Sequence, residues 1–484
     1  MRPNTVRAVK WGIPLLLLVP LVLLSGGSGQ AGTAASRAGA FAHVSSAVSS
    51  RLYLQNPQYA PTADRPRYEA AARALAGART TGTPAAAPVT VGNLLRFNHD
   101  SLGLPQNEES VGACGSRPDV VLGGTNDYRG LVNPKGNFTG WHLSTDGGRS
   151  LANEGLLPTL PVFGKQTPSG GDPVDVATQD CSFLYAGSLN YDPNDPFGKP
   201  SGVGVYRTTP ARLAACAGGD TPACWPVRRI VAQTRARDRF LDKEWMTVGR
   251  SGNAGRVVWV TYSDFDVSGP VGFNGGSIKA VRCTEDLSTC TRPILISGDD
   301  SDVQFSDVTI DPSGRTYITW SEIQGELEGT PQTFIHKLRV AEPGSTAFGP
   351  TRVVFRETRA IPFGGSLHAD GFRIATYPKN TVKIVNGGPR VFVTWDACGV
   401  RILDTICEDA QIKLTHSDDL GRTWSRPAAV SVGNENYFPT IAKDRNDAAV
   451  TLAYYTNRFD PVFHNRQDVE LLTVDARSSQ VTKR

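Results

Sequence analysis

One feature constrains this chain more than any other: a two-strand unit that recurs six times. The second strand of each unit is rich in β-branched and aromatic residues and ends in polar ones. These strands read VVLGGTND (120–127), FLYAGSLN (183–190), VVWVTYSD (257–264), TYITWSEI (316–323), VFVTWDAC (391–398) and VTLAYYTN (450–457). The first strands read RPDVVL (117–122), GDPVDVAT (171–178), DKEWMTVG (242–249), FSDVTIDP (305–312), GFRIATYP (371–378) and YFPTIAKD (437–444). Breakers such as Asp311-Pro-Ser-Gly314 and Gly387-Gly-Pro389 part the two. The anchors Asp172, Asp242, Asp307, Asp370 and Tyr437 stand 63–70 residues apart. A β unit of that length matches one four-stranded blade of a propeller. A string of β-sandwiches is the competing architecture, but those domains repeat nearer to about 100 residues. The expected fold is therefore all-β: a six-bladed propeller over residues 89–478, with a tail at 479–484.

What precedes the repeat is of another kind. Arg2, Arg7 and Lys10 lead an apolar run from Ile13 to Leu24, and small residues follow. That is the pattern of a secretory signal, here placed at 1–31. The run is shorter than the roughly 20 apolar residues that span a bilayer, so any membrane attachment is expected only through this segment if it stays uncleaved. Residues 32–88 are Ala-, Thr- and Pro-rich and read as a linker. One short helix is expected at Arg65–Ala76. The whole chain has 50 basic and 46 acidic side chains, without the broad basic footprint of a nucleic-acid binder.

Cysteine usage fits an exported, secreted protein. The eight cysteines include three close pairs, Cys216/Cys224, Cys283/Cys290 and Cys398/Cys407. None has the CxxC spacing of a zinc knuckle. Disulfides that close short hairpins are the natural reading in an oxidising compartment. That leaves Cys114 to pair with Cys181.

A turn motif adds a resemblance. Ser417-Asp418-Asp419-Leu420-Gly421-Arg422-Thr423-Trp424 fits Ser-x-Asp-x-Gly-x-Thr-Trp. Ser144–Leu151 fits it with Leu for Trp, and Thr284–Cys290 is a degraded copy. Asp and Ser side chains accept backbone N–H bonds in such a turn, while Gly supplies positive φ. The pattern resembles the Asp-box, or BNR repeat, of the sialidase superfamily. The resemblance covers roughly residues 90–478. It implies a six-bladed propeller with the boxes on the hairpins between third and fourth strands, where Asp146 and Asp419 hold turns and catalyse nothing.

Propeller geometry gathers the starts of first strands and the ends of second strands on one face. Carboxylates dominate that set: Asp172, Asp242, Glu244, Asp307 and Asp370 at the starts, Asp264 and Asp396 at the ends. An acid-rich concave mouth suits sugar hydroxyls and supplies paired carboxylates for glycosidic chemistry. It also offers oxygen ligands of the kind Ca²⁺ takes. Beyond that, no metal or cofactor is expected.

The sialidase resemblance implies specific roles. Tyr437 would be the nucleophile, activated by Glu244 because a phenol of ordinary pKa near 10 needs a base. Asp242 and Asp370 would supply acid/base chemistry. Arg117, Arg373 and Arg458 would grip a substrate carboxylate, with Asp264 and Asp396 lining the site. The Phe/Tyr-Arg-Ile-Pro element of that superfamily has no counterpart in the first unit, which reads Cys114-Gly-Ser-Arg117-Pro118. Phe372-Arg373-Ile374 stands in the fifth unit instead. Two functions follow: a secreted sialidase-like hydrolase of terminal acidic sugars, or a non-catalytic propeller that binds glycan or protein.

Overall fold

A computed structural model describes residues 46–484, apart from 79–96, 101, 221, 269–273, 326–331, 362–365, 368–373, 403–405, 434, 444–447, 461 and 463–465. The expected signal at 1–31 therefore lies outside the described residues, as do Asp370 and Arg373.

Six antiparallel sheets succeed one another along the chain, each built from consecutive strands. Blade 1 comprises Gln106–Ala113, Val121–Asp127, Thr139–Ser144 and Asn153–Leu156. Blade 2 comprises Val174–Ala177, Leu184–Tyr191, Ser201–Thr208 and Val227–Thr234. Blade 3 runs through Arg239–Arg250, Arg256–Asp266, Gly276–Thr284 and Ile294–Leu295. Blade 4 runs through Val303–Ile310, Thr316–Gln324, Thr333–Ala341 and Arg352–Glu357. In blade 5, Lys379–Val385, Gly388–Ile402, Ile406–Ser417 and Ala428–Ala429 are joined by Ser366–Leu367, which pairs parallel to the third strand. Blade 6 holds Asn436–Lys443, Ala449–Thr456, Asp468–Asp475 and Val481–Lys483. The first strand of each blade packs against the first strand of the next, from blade 1 round to blade 6. These strands line the axis of a six-bladed propeller.

Blade faces alternate apolar side chains, and each neighbouring pair buries a shared cluster. Leu122, Trp141 and Leu143 of blade 1 meet Leu184, Tyr206 and Trp225 of blade 2. Trp259 meets Trp320 between blades 3 and 4. Val354 meets Trp395 between blades 4 and 5, and Leu414 meets Leu452 between blades 5 and 6. Among the described residues no such cluster spans blades 6 and 1. Tyr455 Oη reaches Glu109 there at 3.5 Å. Val111, Val469 and Leu471 on the two facing sides stay 59–70% exposed.

All four expected disulfides form: Cys114–Cys181, Cys216–Cys224, Cys283–Cys290 and Cys398–Cys407. The first ties blade 1 to blade 2. The turn motifs also fold alike, each between a third and a fourth strand. Ser144 and Ser417 hydroxyls receive the N–H groups of Gly148 and Gly421, while Asp146 and Asp419 receive those of Ser150 and Thr423. In the copy at 284–290 the Asp286 carboxylate receives the Ser288 N–H, and the disulfide closes the hairpin.

Three expectations need correction. The innermost strand of blade 1 is Gln106–Ala113, not 117–122, and residues 117–120 belong to the turn that follows it. Its sequence, QNEESVGA, lacks an apolar face because Ser110 and Gly112 press on the backbone of blade 2. A Cβ at Gly112 would lie 2.8 Å from the Asp175 carbonyl oxygen. In blade 5 the first strand is Lys379–Val385, beyond the segment 371–378. At the other end, residues 481–483 pair with the third strand of blade 6, so they complete that blade.

The region read as linker carries two helices, Ser46–Gln55 and Arg65–Ala78. Val48, Leu52 and Tyr53 sink into the cluster shared by blades 2 and 3. Arg51, 1% exposed, lies between the rings of Phe138 and Tyr191 and donates to the carbonyls of Ser169 and Gly136.

Candidate functional site

The mouth of the ring is built by one repeated backbone irregularity. The pairing of first and second strands slips at the same place in blades 1, 3, 4 and 6. Each slip contains a residue with positive φ: Glu108 (55°), Lys243 (53°), Phe305 (61°) and Phe438 (51°). In blade 2, Asp172 (53°) stands just ahead of the first strand, as Tyr377 does in blade 5. Bulges of this kind re-aim a side chain at the rim of a sheet. Five of the thirteen described non-glycine residues with positive φ fall in this one ring. Such strained conformations concentrate where a site is built.

The six residues split by chemistry. Blades 1, 2 and 3 supply Glu108, Asp172 and Lys243. The Lys243 ammonium lies 3.4 Å from Glu108 Oε2 and 3.3 Å from Asp172 Oδ2. Blades 4, 5 and 6 supply Phe305, Tyr377 and Phe438, whose ring centres stand 5.3 and 5.7 Å apart in sequence. The halves face each other across the opening, and the Tyr377 phenol senses the charge of Glu108. All but Asp172 remain partly open to solvent.

Behind the ionic half stand two more carboxylates, Asp242 and Glu244, 0% and 3% exposed. Burial raises the Glu244 pKa, and the neighbouring charge of Asp172 raises it further. Neither Glu244 oxygen receives a hydrogen bond from another residue. Asp172 is raised too: burial leads, Glu108 adds to it, and Lys243 opposes both. Among the described residues, neither Asp172 carboxylate oxygen receives a hydrogen bond. Asn126 of blade 1 holds the strained Asp172 backbone by accepting its N–H at 2.7 Å. Among the described residues no three acidic, His or Cys side chains form a metal-binding group.

Deeper on the aromatic side, the Lys379 ammonium lies over the Trp245 ring and beside Asp307. Burial brings its pKa down to about 8. Asp307 accepts the N–H of Asn380 at 2.6 Å. Asp396 accepts the Phe438 N–H at 3.1 Å. It thus fixes one of the three aromatic residues, and burial pushes its pKa up to about 7.

The sequence-derived candidates are only partly gathered here. Asp242 and Glu244 stand at the mouth, and Asp396 supports it. Tyr437 adjoins the ring residue Phe438 but is 1% exposed and stacks on Tyr455. It belongs to blade 6, across the ring from Glu244 in blade 3. Asp264 is ion-paired with Arg239 and Lys279. Arg458 reaches Glu470 and lies over the Phe459 ring. Arg117 does not belong to the mouth. It follows the first strand of blade 1, pairs with Asp119, and lies at the turn-motif end, where Asp119 accepts the Gly147 N–H. Sequence reading missed Glu108, Lys243, Phe305, Tyr377 and Phe438 as a set. One signal was present: Asp172, Tyr377 and Phe438 each precede a proline.

No family model and no curated protein matches the sequence. Solved structures do resemble the fold. An α-L-arabinofuranosidase of Fusarium graminearum is 11% identical, with 76% of this chain and 93% of that chain covered and a TM-score of 0.44. An α-L-arabinanase of Penicillium chrysogenum is also 11% identical, over 76% and 92%, with a TM-score of 0.45. A Hadza microbial sialidase is 10% identical over 72% and 63%, with a TM-score of 0.41. At these values the likenesses carry neither activity nor substrate to this chain.

Proposed function

We propose that this is an exported, glycan-directed propeller that hydrolyses a terminal sugar by carboxylate chemistry at the ring mouth. The observation that carries the reading is the split ring, with an aromatic wall facing a carboxylate cluster. A sugar ring lays its C–H face on aromatic side chains and turns its hydroxyls to fixed polar groups. Asp172, buried and sharing the Lys243 ammonium with Glu108, holds a proton at higher pH than an ordinary carboxylate and delivers it to the leaving oxygen. The glycosidic C–O bond breaks, water adds to the sugar carbon, and the water's proton returns to the Asp172–Glu108 pair. Asp242 and Glu244 stabilise the positive charge that develops on the sugar ring. This reading replaces the arginine clamp and the phenol nucleophile by groups that the ring brings together.

The test is release of fluorophore from a panel of aryl glycosides. Turnover of one member is expected, at least 100-fold lower in Asp172→Asn and close to wild type in Asp419→Ala at the opposite end. Absence of turnover across the panel overturns the hydrolase reading. Loss of turnover in Tyr437→Phe, with Asp172→Asn active, restores the phenol as nucleophile.

A further inference from the structure

We propose that Arg51, on the helix Ser46–Gln55 ahead of the propeller, is a positioning residue for the reaction: it clamps the segment 169–172 and so sets where the Asp172 carboxyl stands. The inference rests on the hydrolase reading above and adds to it a residue from a segment that reads as linker in the sequence. Asp172 ends a short run, Ser169-Gly170-Gly171-Asp172, that leads into the first strand of blade 2. Arg51 grips this run at its first residue. Its guanidinium donates to the Ser169 carbonyl at 3.0 Å and, from its other terminal nitrogen, to the Gly136 carbonyl. The same guanidinium lies 5.0 Å from the centre of the Phe138 ring and 5.3 Å from that of Tyr191.

Those two rings bear on the next two residues of the run. A Cβ at Gly170 would lie 2.4 Å from Tyr191 Cε1, and one at Gly171 would lie 3.4 Å from Phe138 Cδ1. Asp172 follows with φ of 53° and its N–H on Asn126. Arg51 thus holds one end of the run and, through both rings, its middle, while Asn126 holds the other end. A second observation ties the clamp to the carboxylates themselves. Burial raises the Tyr191 phenol, Arg51 opposes that, and the charges of Asp172 and Asp242 add to it. Tyr191 therefore stands between Arg51 and the proton donor.

Docking of the helix does not by itself call for an arginine. Val48, Leu52 and Tyr53 already sink into the apolar cluster of blades 2 and 3. A guanidinium that is 1% exposed is costly to bury. What it adds is direction, because one planar fork fixes two carbonyls and meets two ring faces at once. A general acid works only within hydrogen-bond reach of the leaving oxygen, and a misplacement of about 1 Å can cost on the order of 100-fold in rate.

Leaving-group dependence tests this. A phenyl glycoside needs the Asp172 proton as its C–O bond breaks, whereas a dinitrophenyl glycoside releases a stable anion without it. Both are made on the sugar that the fluorophore panel identifies. Arg51→Met, checked for folding by thermal melting, should lower kcat at least tenfold for the phenyl glycoside and less than threefold for the dinitrophenyl one. Hydrogen exchange on the same variant should show the amides of Gly170, Gly171 and Asp172 exchanging at least tenfold faster, with those of Thr316–Gln324 unchanged. If Arg51→Met does not fold, Arg51→Lys decides, since it keeps a cation between the rings but has one ammonium for two carbonyls. The same pattern is then expected, at threefold or more. No loss, an equal loss on both glycosides, or unchanged exchange at 170–172 overturns the inference and leaves the hydrolase reading standing. Absence of turnover by the wild type across the panel overturns the hydrolase reading, and the positioning role falls with it even where exchange shows the clamp.

Discussion

At the scale of single residues, the site depends on side chains that hold other side chains. Asn126 takes the Asp172 N–H at 2.7 Å, and Asp172 has a backbone conformation that side chains resist. Asn126→Ala leaves that buried N–H without an acceptor, at a cost of about 1–3 kcal/mol. Denaturant unfolding should show this loss, and turnover should fall with kcat rather than KM because the proton donor is displaced. Asp396 gives a prediction whose sign is fixed by its pKa. Burial raises it to about 7 from an ordinary value of 3.8. Between those limits the folded state binds the proton more tightly than the unfolded one. Asp396 therefore favours folding at acid pH, and that contribution is lost as pH rises from about 4 through 7. Asp396→Asn keeps an acceptor for the Phe438 N–H and cannot ionise. Its thermal midpoint should fall less than that of the wild type between pH 4.5 and 7.5. Parallel curves would show that Asp396 does not titrate in this range.

At the scale of elements, the two ends of each blade divide labour. The turn motifs close hairpins far from the mouth, where Asp419 accepts the Thr423 N–H at 2.9 Å and its hydroxyl at 2.7 Å. Asp419→Ala should lower stability by about 1 kcal/mol with kcat/KM unchanged, and a change in kcat/KM would show that the ends are coupled. The second strands were legible because their alternation of Val, Trp and Tyr against polar residues is strong. The first strand of blade 1 was not, since QNEESVGA trades an apolar face for close backbone approach at Gly112. The helix Ser46–Gln55 was hidden for another reason. Its segment is weakly apolar overall, yet Val48, Leu52 and Tyr53 are buried against blades 2 and 3. Leu52→Ala should destabilise the chain by about 2–5 kcal/mol, as for other fully buried leucines. An unchanged unfolding midpoint would mean that the helix does not dock. Strand propensity thus displayed the frame, while the bulges that aim the mouth residues depend on pairing register, which a single sequence does not display.

At the scale of the whole ring, the seams are unequal. Among the described residues, blades 2, 3, 4 and 5 each share buried apolar clusters with two neighbours, whereas blades 1 and 6 each share them with one. A terminal repeat with one packed interface is the least stable part of such an array. Blade 1 has compensation, because Cys114–Cys181 joins it to blade 2 across 67 residues. In the chain-entropy account a loop of that length is worth about 4 kcal/mol. Blade 6 has no disulfide at all, and its Val469 and Leu471 face blade 1 while 64% and 59% exposed. Local opening should therefore begin in blade 6. Native-state hydrogen exchange measures this directly. Amides of Ala449–Thr456 and Asp468–Asp475 should exchange through an opening of lower free energy than those of Leu184–Tyr191 or Thr316–Gln324. Reduction of the disulfides should bring blade 1 toward the same level. Equal protection in blades 2 and 6 would mean that the sixth seam holds as firmly as the others, and that the ring unfolds only as one cooperative unit.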